Sequence, residues 1–176
     1  MTNFRYLECE NWELITEKLY SYVKHETNLL EKCEFWNHEP NPNKVLDYVP
    51  ELRDYFASLE LIPSQFAFII LKDADTSTVH LDYLAPTSRI QWPIINCAGS
   101  TTKLYEFTKG KPILRKSGNV VYWDLMYTRY EEIDQFELKQ PVVWRTELPH
   151  CVFTASKDIR ISMTCYFMQP PDHLLK

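Results

Sequence analysis

The chain has 176 residues, 45% of them hydrophobic and 24% charged, and a formal net charge of −5. That length suits one domain with a real core. The acidic balance argues against nucleic acid or an anionic membrane as main partner, because phosphate binding needs a basic face.

No apolar run approaches the roughly 18 residues of a membrane span. Met1-Thr2-Asn3-Phe4-Arg5 leads straight into polar sequence, unlike a secretory leader. The five cysteines, Cys9, Cys33, Cys97, Cys151 and Cys165, are odd in number, scattered and without a CxxC pair. Reduced thiols and a cytoplasmic location are therefore expected.

Residues 10 to 31 read as a helix that Asn11 can cap, with Trp12, Ile15, Leu19, Tyr22 and Val23 at helical spacing. Residues 33 to 43 are Asn- and Pro-rich and read as turns without a regular element. A second helix is predicted over 44 to 60, interrupted at Pro50. Phe66-Ala67-Phe68-Ile69-Ile70-Leu71 is a buried-strand run. Short strands are then expected at about 78–84, 88–96, 102–108, 112–116, 119–123, 132–138, 141–146, 150–154 and 159–168. The run Tyr127 to Glu132 reads as a solvated loop. Strands at this spacing suggest a sandwich, jelly roll or barrel. The expectation is one α+β, mainly β domain over 1–176, with a helical part at 1–62 and a jelly-roll-like barrel at 63–170.

Side chains at i and i+2 of a strand point the same way, so His80 and Asp82 aim an imidazole and a carboxylate at one point. A bare His-x-Asp also arises as a chance pair on a half-buried strand. A second His from a distant strand would complete a two-His, one-carboxylate triad, which suits non-haem iron(II) with open positions on one side. Zinc could accept the same ligands. Of the other histidines, His25, His38, His150 and His173, the one that opens a predicted strand of the β-core is His150. A hairpin centred on residue 157 would put His150, Val152, Thr154, Arg160, Ser162, Thr164 and Tyr166 on one face. Cys151, Phe153, Ile159, Ile161, Met163, Cys165 and Phe167 would form the other. An inward Arg160 needs an anion, either a ligand carboxylate or a protein group such as Glu106 or Asp124.

His80-x-Asp82, then His150, then Arg160-x-Ser162 resembles the iron(II)- and 2-oxoglutarate-dependent oxygenases. Arg89-Ile90-Gln91-Trp92-Pro93-Ile94, nine residues after His80, looks like the Arg-x-His-x-Pro/Gly-Leu strand of the aspartyl/asparaginyl β-hydroxylase branch. In that branch this Arg and an Arg ten residues past the distal His hold 2-oxoglutarate, and Arg89 and Arg160 occupy those positions. Asp82 departs from the branch, which often has no carboxylate ligand, and so does Gln91 in place of the strand His.

The resemblance implies a double-stranded β-helix (cupin-like) fold with N-terminal helices packed on it. It implies Fe(II) on His80, Asp82 and His150, with no catalytic residue beyond these ligands. 2-Oxoglutarate would chelate the iron through its keto and C1 carboxylate oxygens, with its C5 carboxylate on Arg160 and Ser162. Arg89 and Gln91 are further co-substrate candidates, although Arg89 could equally touch substrate or pair with Asp82 or Glu106. O2 would drive decarboxylation of the co-substrate to succinate and hydroxylation of an amino-acid side chain, free or in a protein or peptide, or of a small molecule. Lys72, Tyr83, Trp92, Tyr105 and Tyr166 are pocket candidates. The alternatives are a non-enzymatic cupin-type module that binds a metal or anion, and a zinc or manganese isomerase.

Overall fold

The computed structural model describes residues 2–27, 29–32, 36–71, 77–83, 85–117, 120–125, 128–154 and 157–176. Lys72, Cys33 and Tyr127 lie outside them. Strand β1 (Phe4–Tyr6) precedes helix α1 (Trp12–His25) and the single turn α2 (Leu29–Lys32). Strand β2 (Trp36–Glu39) leads to helices α3 (Pro42–Tyr48) and α4 (Pro50–Ser58). Then come β3 (Pro63–Leu71), β4 (His80–Asp82), β5 (Ser88–Ile95), β6 (Ser100–Lys109), β7 (Ile113–Ser117) and β8 (Val120–Asp124). The chain closes with β9 (Arg129–Glu137), β10 (Val142–Arg145), β11 (His150–Thr154), β12 (Arg160–Phe167) and a 3-10 turn, Asp172–Leu175.

Local chemistry explains most boundaries. α1 buries the stripe Ile15, Leu19, Tyr22 and Val23. It ends before Thr27, whose hydroxyl donates to the Val23 carbonyl at 2.6 Å and accepts from the Leu29 amide at 3.3 Å, so the expected 10–31 helix splits there. Asn11 holds the N-cap position without capping: its side chain accepts from the Cys9 thiol instead. The Asn41 side chain caps α3 by accepting from the Asn43 amide at 3.1 Å, with Pro42 just inside. Pro50 opens α4, where its missing N–H costs nothing.

Three expectations are corrected. The N-terminal part is not purely helical, because it supplies β1 and β2. The stretch 33–43 holds β2 and the start of α3. β2 exists because its backbone pairs with β3, Trp36 opposite Ile69 and His38 opposite Ala67, and tertiary pairing overrides the weak strand preference of Asn and Glu. The loop reading of 127–132 fails from Arg129 onward, since β9 pairs with β6 there. β9 is a sheet edge with mostly exposed residues, so it lacks the apolar alternation that marks a half-buried strand.

Two six-stranded sheets form, all pairs antiparallel: β1-β10-β5-β12-β3-β2 and β7-β8-β4-β11-β6-β9. From β3 to β6, and again from β10 to β12, consecutive strands alternate between the sheets. This is the jelly-roll pattern expected from the sequence. The expected hairpin centred on residue 157 is absent. β11 pairs with β6 and β4, whereas β12 pairs with β3 and β5 in the opposite sheet. The predicted faces are nevertheless right, because alternation within a strand does not depend on its partner.

The larger core lies between the helices and the first sheet. Ile15, Leu19, Leu52 and Phe56 meet Phe66, Ile90, Trp92, Ile161, Met163 and Cys165. A smaller cluster around Leu104, Phe136, Val142 and Trp144 joins the second sheet to β10 of the first. Phe56 has no exposed surface, and its ring lies 5.1 Å from Phe167, 6.3 Å from Trp92 and 6.4 Å from Phe66. Phe56→Ala should cost about 3–5 kcal/mol of stability. Urea unfolding of the variant should show a lowered midpoint with an unchanged slope.

Candidate metal centre

His80 and Asp82 leave β4 on one face, and His150 on β11 lies directly opposite His80 across the strand pair. The ligand atoms of the three residues lie within 4.8 Å of one another. His80 Nε2 is 3.7 Å and His150 Nε2 3.9 Å from the same Asp82 oxygen, Oδ1. These spans are shorter than two metal–ligand bonds laid end to end, about 4.2 Å.

Each ring is held in the tautomer a metal requires. His80 Nδ1–H donates to the Thr78 carbonyl at 2.7 Å, and His150 Nδ1–H to the Leu148 carbonyl at 3.0 Å. A carbonyl only accepts, so the proton of each neutral ring sits on Nδ1 and the Nε2 lone pair faces Asp82. Burial, with help from the neighbouring His80, pushes His150 down to about 4, so it is a neutral imidazole at neutral pH. Burial alone would raise the Asp82 carboxyl. Charge on His150 when that ring is protonated, the Arg89 guanidinium, and charge on His80 when protonated outweigh it and hold the group below its usual range. Two imidazole nitrogens and one carboxylate are the donor set of a divalent metal with open positions on one side.

The second carboxylate oxygen, Asp82 Oδ2, accepts from Arg89 Nη1 at 2.8 Å. Of the roles open to Arg89, the structure gives this pairing. The Arg89 guanidinium also lies 4.7 Å over the Tyr166 ring.

The cavity of about 70 Å³ beside the triad is walled across the gap by β5 and β12. Arg89 and Gln91 face it from β5, and Arg160, Ser162 and Thr164 from β12. Arg160 is 2% exposed, and among the described residues no carboxylate meets it. Its Nη1 donates to Ser162 Oγ at 3.3 Å, while its Nε has no partner. Burial lowers the guanidinium from its usual value, with partial relief from the Cys97 thiol. Asp124, one suggested counter-ion, is bonded by Arg115 Nε at 2.6 Å, and Glu106 is exposed.

Ser162 Oγ also accepts from Gln91 Nε2 at 2.8 Å, and Gln91 Oε1 accepts from the Thr164 hydroxyl at 2.8 Å. Both Ser162 lone pairs are therefore engaged, and its own O–H can only donate onward. Arg160 and Ser162 together offer donors, a positive charge and no acceptor, a cradle for an anion.

Two expected pocket residues lie elsewhere. Trp92 points to the helix layer, where its Nε1 donates to Thr16 Oγ1 at 2.9 Å. With Arg89 and Gln91 facing inward, strand alternation puts Trp92 outward. Tyr105 packs 5.0 Å from Tyr130 with its hydroxyl 3.4 Å from the Cys151 sulfur, on the far side of β11 from the cavity. A bulge between Leu104 and Tyr105 accompanies this. Tyr166 and Tyr83 line an adjoining outer pocket.

Sequence reasoning missed Trp144 and Trp36, which both line the cavity. Trp144 stands edge-on to His150 at 4.8 Å and 81°, and its buried Nε1 has no partner. Its position follows from register, opposite Arg89, which only the pairing of β10 with β5 reveals. Trp36 sits on β2, inside the stretch read as turns.

Comparison with known proteins concerns the fold. No family model matches the chain, and no curated protein matches it in sequence. A solved prolyl-4-hydroxylase from Pseudomonas putida is similar at a TM-score of 0.50 and 13% identity, over 96% of this chain and 89% of that one. The epimerase SnoN, solved with Fe3+, alpha ketoglutarate and nogalamycin RO, is similar at a TM-score of 0.50 and 9% identity. That match covers 86% of this chain and 74% of the other. The likeness is one of fold, a mainly β jelly roll built from two antiparallel sheets. No helix among the described residues is long and apolar enough to cross a membrane.

His150→Ala should abolish binding of Co(II) or Mn(II). Arg89→Met, which frees Asp82 Oδ2 without removing a ligand, should weaken it by about 10–100-fold. Metal titration followed by Co(II) absorption or Mn(II) resonance checks both, and undiminished binding in His150→Ala would remove that residue from the centre.

Proposed function

We propose that the chain is an iron(II)- and 2-oxoglutarate-dependent oxygenase whose outcome is hydroxylation. The observation that carries this reading is Arg160, a buried cation without a carboxylate partner among the described residues, in the same cavity as His80, Asp82 and His150. A buried unpaired guanidinium is costly, and a dicarboxylate that reaches the metal at one end would offset that cost at the other. The fold likeness to a prolyl-4-hydroxylase and to a protein solved with Fe3+ and alpha ketoglutarate supports the same reading.

In this reading His80, Asp82 and His150 hold the iron, which supplies the activation of O2 and the oxidation of substrate. The chain's residues do the rest. Arg160 and the Ser162 hydroxyl bind the distal carboxylate of 2-oxoglutarate, and Gln91, braced by Thr164, keeps Ser162 turned toward it. Arg89 fixes Asp82, so that Oδ1 faces the imidazoles. Trp144 packs on His150 and limits the motion of the ring. The Arg89 strand favours the aspartyl/asparaginyl β-hydroxylase-like branch. The ion pair to Asp82 and the Gln91 side chain favour the wider superfamily.

Purified protein with iron(II) should convert 2-oxoglutarate slowly to succinate without added substrate. Arg160→Ala should cost about 2–5 kcal/mol of 2-oxoglutarate binding, at least roughly thirtyfold in Kd. Calorimetry on the Mn(II)-loaded protein is the measurement. Binding that ignores both metal and Arg160→Ala would defeat the reading.

A further inference from the structure

Beside the inner cavity, sharing some of its lining, lies an outer pocket of about 160 Å³. Asp82 and Arg89 form the shared floor, since they line both spaces. Above them stand the rings of Trp36, Tyr83 and Tyr166, with Val120 and Val121 completing the wall. Trp36 comes from β2 at the edge of the first sheet, and Val120 and Val121 come from β8, next to the edge of the second. The mouth is thus the gap between the two sheet rims, and a molecule there lies against the carboxylate of the candidate metal centre.

The charge of this pocket is already spent. Its floor carries one anion and one cation, joined at 2.8 Å. Among the described residues its walls carry no other charge, and burial pushes the Tyr166 phenol up to about 12, so it remains neutral. Three aromatic rings would ordinarily attract a cation. Here the Arg89 guanidinium already lies 4.7 Å over Tyr166, and it repels a second positive group. Tyr83, 44% exposed and 6.3 Å from Trp123, is left as a rim on which a flat molecule can stack.

We infer that this outer pocket is the binding site for the molecule to be oxidised, and that its occupant is an uncharged, ring-bearing small molecule rather than an ionic one. The inference rests on the oxygenase reading for the fate of the occupant, but not for its binding. Among the described residues of these walls a free carboxylate side chain would find no unpaired cation, and an ammonium no unpaired anion. A neutral ring loses little hydration on entry and gains edge or face contact with Trp36, Tyr83 and Tyr166.

Benzyl alcohol and benzylammonium, alike in shape and different in charge, are the probes. Saturation-transfer NMR on the zinc-loaded chain should show benzyl alcohol bound ahead of benzylammonium. Trp36→Ala should weaken benzyl alcohol at least about fivefold. Val121→Glu, which keeps all three rings and adds one anion, should reverse the order of the two probes. Benzylammonium bound as well as or better than benzyl alcohol by the wild-type chain overturns the inference. So does binding of neither probe, unchanged affinity in Trp36→Ala, or an unchanged order in Val121→Glu. None of these readouts uses 2-oxoglutarate. Absence of metal-dependent 2-oxoglutarate binding in the same sample would instead remove the oxygenase reading.

Discussion

Two central strands of the first sheet serve two unlike environments at once. On β5 and β12, Ile90, Trp92, Ile161, Met163 and Cys165 face the helices, and Arg89, Gln91, Arg160, Ser162 and Thr164 face the gap between sheets. The helix layer gives the sheet its apolar footing. That leaves the inner face free to carry polar groups that a small barrel would otherwise fill with side chains for stability. The α-helices are therefore a condition of the site, although none of their described residues lines it.

The Asp82 carboxylate divides its two oxygens. Oδ2 takes the Arg89 hydrogen bond, and Oδ1 faces both imidazoles. One residue thus sets the orientation of the metal centre and neutralises the floor of the outer pocket. Arg89 and Arg160, alike in sequence context, differ for this reason. Among the described residues, one has a protein anion in reach and the other has none.

Much of the site was legible in the sequence because strand alternation is a local rule. His80 with Asp82, and Arg160 with Ser162 and Thr164, follow from a period of two whatever their partners. The same rule placed Trp92 on the opposite face from Arg89 and Gln91, so its assignment to the pocket contradicted information already present. What the sequence did not carry was strand partnership. Two strands a few residues apart look like a hairpin, yet β11 and β12 belong to different sheets. His150 and Arg160 meet because both sheets turn their polar faces inward, whatever the parity of the loop. Trp36 was hidden by Asn and Pro neighbours, and Trp144 depended on a register that no local pattern records. Tyr105 lies beside a bulge, which a regular alternation does not anticipate.

The three proposed metal ligands all come from the second sheet, on β4 and β11, whereas Arg160 and Ser162 come from the first. Any molecule held at both ends therefore spans the gap between the sheets, and the spacing of the sheets acts as a gauge of its length. A diacid one carbon shorter or longer would have to draw the jaws together or force them apart. The Arg89–Asp82 ion pair, itself a strut from one sheet to the other, resists both movements. In the proposed reading, discrimination among dicarboxylates would belong to the architecture of the whole sandwich rather than to the reach of a single side chain.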